Sequence, residues 1–148
     1  MKHTLSGAEL TELILETFRF NGSLISAGDE LVCDLDLTSA RWQVLGTLPD
    51  GPATVAEIAR RMGLTRQSVQ RIADRLVVDG LLETKANPAH KRAKLYMLTD
   101  KGTSVMEEVN RRQTEWVNEL AEGIDAKQIS DAISVMRTIN QRLKQSDL

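Results

Sequence analysis

Residues 64–82, "LTRQSVQRIADRLVVDGLL", are the stretch on which the fold turns. Wound at about 100° per residue, Val69, Ile72, Ala73, Leu76 and Val77 fall on one side of a helix. Gln67, Gln70, Arg71, Asp74, Arg75 and Val78 fall on the other, with Ser68 at the edge. The spacing therefore predicts a helix that buries one stripe and shows a polar, mostly basic face. Thr65 is suited to cap it, and Leu64 to pack on Val69 as a hydrophobic staple.

Immediately upstream, "TVAEIARRMG" (54–63) predicts a second short helix. Thr54 and Glu57 stand at capping-box spacing; Val55, Ile58, Ala59 and Met62 form the apolar stripe, and Gly63 is the stop. Two short helices joined by a tight glycine-containing turn make a helix-turn-helix. Downstream the period changes. "LLETKA" (81–86) and "AKLYML" (93–98) read as two strands, and "NPAHKR" (87–92) as the turn between them. A helix-turn-helix followed by a basic hairpin is a winged helix, so the expected class is mainly α (α+β).

Charge follows the same division. From Arg60 to Lys101 there are ten Lys/Arg against four acids; the rest of the chain has nine against seventeen, and the net charge is −2. A basic centre between acidic ends suits a polyanion at one place and discourages it elsewhere. Gln and Arg on the exposed helix face are the side chains that pair with adenine and guanine in a major groove. Thr65, Arg66 and the first-turn N–H groups are placed for a phosphate. Asp74 would repel phosphate, and its expected role is to brace Arg71 or Arg75. On the hairpin, Lys85, His90, Lys91, Arg92 and Lys94 are candidate contacts beside or in the minor groove.

The flanks are helical. Residues 5–35 carry Leu10, Leu13, Ile14, Phe18, Leu24, Ile25, Leu31 and Val32 mostly at three- and four-residue steps, with Asn21 and Gly22 weakening the middle. Thr38 caps a helix bearing Trp42, Leu45 and Leu48 that Pro49, Gly51 and Pro52 end. Helical spacing resumes at Thr99 through Met106, Val109, Trp116, Val117 and Leu120, and a last helix runs from about Ile124 with Ile129, Ile133, Met136, Ile139 and Leu143 on one side. Apolar stripes at 5–20 and 124–145 can be buried against a second copy, which predicts a homodimer. The expected organisation is one domain over 1–148, with a DNA-binding lobe at 38–98 and a helical dimerisation lobe formed by 5–35 and 99–145.

"LTSARWQVLGTL" (37–48), then "TVAEIARRMGLTRQSVQRIADRLVVDGLL" (54–82), the hairpin and "LTDKG" (98–102) together resemble the MarR family of bacterial transcription regulators, over about residues 5–145. The resemblance implies an obligate homodimer holding two winged helices on a pseudo-palindromic operator in double-stranded DNA, most often as a repressor. It also implies that Ser68, Gln70 and Arg71 contact bases or phosphates and that Arg92 acts at the wing. Relatives commonly carry Asp two residues before that arginine; this chain has His90, and because a histidine can charge near neutral pH, operator affinity is expected to depend on pH through it. Many relatives are released from DNA by small anionic or phenolic compounds, and by resemblance Phe18, Arg19, Asn21, Arg41 and Trp42 are the candidate ligand residues.

Other classes find little support. No nucleophile, base and orienter stand at a recognisable spacing, there is no glycine-rich phosphate loop, and an enzyme or a cofactor is not expected. Cys33 is the one cysteine and His3 and His90 the only histidines, so neither a disulfide nor a Cys/His zinc cluster can form within the chain. Some relatives sense oxidants through cysteine, but Asp34 and Asp36 beside Cys33 oppose a reactive thiolate. The remaining alternative is a winged helix that binds an acidic protein. No apolar run spans a membrane and "MKHTLSGAEL" lacks the core of a signal peptide, so a cytoplasmic protein is expected.

Overall fold

The computed structural model describes residues 2–145. Its elements are α1 (Leu5–Val32), a 3-10 turn (Cys33–Leu35), α2 (Ser39–Leu45), α3 (Val55–Met62), α4 (Arg66–Val78), β1 (Leu82–Lys85), β2 (Leu95–Leu98), α5 (Asp100–Leu120) and α6 (Ala126–Gln145). The chain divides into two compact units, residues 1–111 and 112–148. No described helix is long and apolar enough to cross a membrane.

In the first unit the core lies between α2, α3, α4 and the hairpin, with Val44, Leu45, Ile58, Val69, Leu76 and Leu82 fully enclosed. The α4 wheel is realised: Val69, Ala73 and Leu76 are buried, Ile72 and Val77 pack partly against them, and Val78 is exposed. Both halves of the α3 capping box form. Thr54 Oγ1 accepts from the Glu57 N–H at 3.3 Å, and the Thr54 N–H donates to Glu57 Oε2 at 2.7 Å. Gly63 turns the chain at φ 66, a left-handed value that costs glycine little, and lets the Leu64 N–H reach the Ala59 carbonyl at 2.9 Å. That bond sets the tight turn into α4, which Thr65 caps through the Ser68 N–H.

β1 and β2 pair antiparallel with Leu82 opposite Leu98 and Lys85 opposite Leu95. Ala53 adds a third rung on the far side of β2, exchanging backbone hydrogen bonds with Tyr96 at 3.0 and 2.8 Å. The wing is thereby fastened to the segment that enters α3. At its base the Thr99 hydroxyl donates to the Gly80 carbonyl at 2.6 Å and accepts from the Gly102 N–H at 3.0 Å, starting α5. Gly102 is buried, and a Cβ there would collide with the Leu81 carbonyl oxygen.

Three boundaries differ from the sequence reading. α1 is the single helix expected, crossing Asn21 and Gly22 because one glycine costs only about 1 kcal/mol, but it ends at Val32, where Cys33–Leu35 tighten into a 3-10 turn and Asp36 takes a left-handed φ of 56. α2 stops at Leu45, before Leu48 and Pro49, because the chain tightens into turns that take its last carbonyls; the Thr47 and Leu48 N–H groups reach Val44 O and Leu45 O at 3.2 and 3.1 Å, and the Thr47 hydroxyl also donates to Val44 O at 2.8 Å. α6 starts at Ala126, since Asp125 Oδ1 accepts the Lys127 N–H and leaves Ile124 in the preceding turn.

The second unit holds the end of α5 and all of α6. No residue of α6 is buried, and Ile129, Ile133 and Leu143 are exposed on it. In the first unit α1 buries only Gly28 and Val32, leaving Leu10, Ile14, Phe18, Leu24 and Ile25 exposed.

Candidate nucleic-acid interface

The outer face of α4 presents Arg66, Gln67, Gln70, Arg71, Asp74 and Arg75, all exposed, with Ser68 half-buried. Thr65, Gln67, Ser68, Gln70 and Arg71 line one open recess on this face. The helix stands on a capped N-terminus, so its free first-turn N–H groups and Arg66 share one end, where the helix dipole favours an anion.

The wing tip is shaped by local bonds. Asn87 Oδ1 accepts the Ala89 N–H at 3.0 Å, and His90 Nδ1 accepts the Ala93 N–H at 3.2 Å. His90 therefore bends the chain around Lys91 and Arg92, leaving both exposed. A second recess joins wing to helix: Arg66, Gln67 and Gln70 of α4, Arg92 and Lys94 of the wing, and Thr54 and Ala56 at the start of α3. Among the described residues, no ion pair or side-chain hydrogen bond occupies Arg66, Arg71, Lys85, Lys91, Arg92 or Lys94, so six cations of the helix and wing stay free for an external anion.

Asp74 corrects the sequence reading. It braces neither Arg71 nor Arg75. Its Oδ1 accepts from Gln70 Nε2 at 2.9 Å and from the Tyr96 hydroxyl at 3.1 Å, while Gln70 Nε2 also donates to the Tyr96 oxygen at 2.8 Å. Burial, then the neighbouring Asp74, push the Tyr96 hydroxyl above its ordinary pKa of 10.0, against the opposing bond from Gln70. Arg75 instead pairs with Asp79, Nε to Oδ1 at 3.2 Å, so part of its charge is spent inside the protein. Tyr96 was missed as a site residue because "LYML" reads only as an apolar strand, and its partner Asp74 lies 22 residues away.

The five ligand candidates are not gathered into one place in the chain. Phe18, Arg19 and Asn21 lie on the exposed stretch of α1, where Arg19 pairs with Glu16 at 3.0 Å. Trp42 packs near Gly28, ten residues and roughly 15 Å along the same helix from Phe18. Arg41 is engaged elsewhere, donating to Asp36 O at 2.9 Å and pairing with Asp79 at 3.2 Å. Cys33 is exposed, and its thiol donates to the Glu30 carbonyl at 3.3 Å.

Known proteins resemble this chain in sequence and in fold. The model of the MarR family matches residues 35–93. An uncharacterised protein of Mycobacterium bovis is 35% identical over 136 residues, covering 92% of this chain and 95% of that one. The HTH-type transcriptional regulator TcaR of Staphylococcus aureus is 28% identical over 135 residues, covering 88% and 89%. Among solved structures, the transcriptional repressor CouR bound to a 23-mer DNA duplex superposes with a TM-score of 0.76 at 25% identity, over 95% of this chain and 99% of that one.

Proposed function

We infer that this chain, which belongs to the MarR family of transcription regulators, is a homodimeric repressor that places α4 in the major groove and the wing beside the minor groove of a pseudo-palindromic operator. The observation that carries this reading is the set of six unpaired cations on one helix and its adjoining wing, three of which, Arg66, Arg92 and Lys94, line a single recess. A protein that neutralises several phosphates releases their counterions, and unpaired Lys and Arg do so without first breaking internal ion pairs. Within this reading Thr65 and Arg66 hold a phosphate, Gln67, Ser68, Gln70 and Arg71 face base edges, and Lys85, His90, Lys91, Arg92 and Lys94 contact the backbone or minor groove. Arg75 is a secondary contact, since Asp79 already holds it.

Dimerisation is supported by the exposed apolar residues of α1 and α6, among them Phe18, Ile14, Ile133 and Leu143. Leaving them in water would forgo about 25 cal/mol for each Å² of apolar surface that a second copy could cover. Repression is supported by the likeness to CouR, a repressor by name. An anionic or phenolic effector is assigned no site within the protomer.

The test is selection of genomic fragments by the purified protein across a salt series, with its mass in solution measured alongside. Enrichment of a palindrome whose half-sites lie about one helical turn apart, a steep fall of affinity with salt and a dimeric mass are expected. Binding without sequence preference, or a monomer at micromolar concentration, would overturn the reading.

A further inference from the structure

Gln70, Asp74 and Tyr96 form a closed hydrogen-bonded triangle between the recognition helix and the wing. The chemistry of the three groups determines which way the Gln70 amide faces. A carboxylate can only accept, so the Gln70 atom 2.9 Å from Asp74 Oδ1 is the nitrogen. The tyrosine hydroxyl gives its single proton to the same Oδ1 and accepts from Gln70 with a lone pair. The Gln70 amide nitrogen is thus turned toward Asp74 and Tyr96 and held there, and the polar atom left without a partner is Oε1, an acceptor. Tyr96 is not free to relax this, because it is 3% exposed and its backbone is tied on both sides, to Ala53 and to β1. Gln70 itself is exposed and lines both recesses of the interface.

We propose that Gln70 is a specificity-determining residue that reads DNA through Oε1 alone, its amide orientation preset by Asp74 and Tyr96. A lone acceptor in the major groove selects a base whose exocyclic amino group it can meet, adenine N6 or cytosine N4. It does not make the bidentate adenine contact a glutamine usually offers, which also needs an amide N–H for the ring N7. Asp74, an anion where phosphate is to be bound, is thereby explained: it orients its neighbour. The inference rests on the DNA-binding reading above.

The experiment has two stages. Selection from randomised duplexes with wild type and Gln70→Ala locates the base pair whose preference Gln70→Ala flattens. Synthetic operators are then compared in which that base lacks its exocyclic amino group, or in which the purine N7 of that pair is replaced by carbon. Removal of the amino group should weaken wild type roughly tenfold and leave Gln70→Ala almost unaffected, while N7 replacement should leave wild type within about twofold. Asp74→Asn, whose amide can donate as well as accept, lets Gln70 turn over. In that variant sensitivity to the amino group should fall while affinity for the other positions holds, a split that a purely structural role for Asp74 would not produce. An N7 effect as large as the amino effect, or a sensitivity to the amino group that Asp74→Asn leaves unchanged, overturns the proposal. So does a motif that Gln70→Ala alters nowhere, although that outcome leaves the DNA-binding reading standing. Failure of wild type to enrich any sequence removes both.

Discussion

Arg41 of α2 and Asp79 at the end of α4 form an ion pair of 3.2 Å, with both side chains less than a quarter exposed. Asp79 is a junction. Its carboxylate also holds Arg75, its carbonyl accepts from Lys101 Nζ at 3.0 Å, and Arg41 continues to the Asp36 carbonyl beyond α1. Partial burial spares such a pair the full screening of water, so Arg41→Ala and Asp79→Ala should each destabilise by roughly 1–2 kcal/mol. A double-mutant cycle in urea should return a coupling of about 1 kcal/mol; additive losses would mean the two act separately.

Gly102 should not tolerate a methyl group. The Cβ of Gly102→Ala meets the Leu81 carbonyl, a backbone atom already committed to the Thr99 N–H at 3.1 Å. Although alanine favours helix, the forced shift of α5 from β1 should cost about 1–3 kcal/mol. A rise in melting temperature instead would show that the two elements can separate without loss.

The α3 cap should make stability depend on acid. The backbone and then the side chain of Thr54 hold the Glu57 carboxyl below its ordinary value of 4.5. With the folded pKa depressed, its contribution is present above the unfolded value and lost as pH falls through the folded one. Wild type should therefore exceed Glu57→Gln at neutral pH, with the gap closing below about pH 4.5. Thr54→Ala should lose roughly 1 kcal/mol at neutral pH. A gap that persists unchanged in acid would show that charge plays no part.

Arg71 and Lys91 should differ in kind. Arg71→Ala, on the reading face of α4, should cost roughly 1–3 kcal/mol at the preferred operator and less on random duplex. Lys91→Ala, on the wing tip, should weaken all sequences about equally and lower the salt slope by about one. Equal losses from Arg71→Ala on specific and random DNA would refute base reading by that residue.

His90 should hold the wing tip in shape. Its Nδ1 accepts the Ala93 N–H at 3.2 Å, so His90→Ala removes that acceptor and should speed hydrogen exchange of the amide and weaken binding to all duplexes about equally. Exchange of the Ala93 amide at the wild-type rate would show that this bond does not shape the turn.

Most of the architecture was legible in the chain because it is written in local chemistry. The caps Thr54 and Thr65, the stop at Gly63, the stripe Val69–Ala73–Leu76 and the change of period after Gly80 each depend on residues a few positions apart. The basic run of α4 and the wing was legible for the same reason, although its spacing suggested that Asp74 would brace Arg71 or Arg75. Where the sequence misled, polar groups that apolar spacing does not register intervened: the Thr47 hydroxyl takes the Val44 carbonyl where α2 ends, and the Asp125 carboxylate takes the Lys127 N–H where α6 begins.

The tertiary structure alone decided the state of the polar groups. Asp74 has arginines three residues before it and one after, yet it bonds Gln70 and a tyrosine from the next strand, because Ala53 and β1 hold Tyr96 against α4. Asp79 likewise gathers Arg41 from a helix that precedes it by more than thirty residues. Apolar periodicity is a property of one element and survives any packing that buries its stripe. A hydrogen bond needs two atoms within about 3 Å at a workable angle, and only the packed chain determines which two those are.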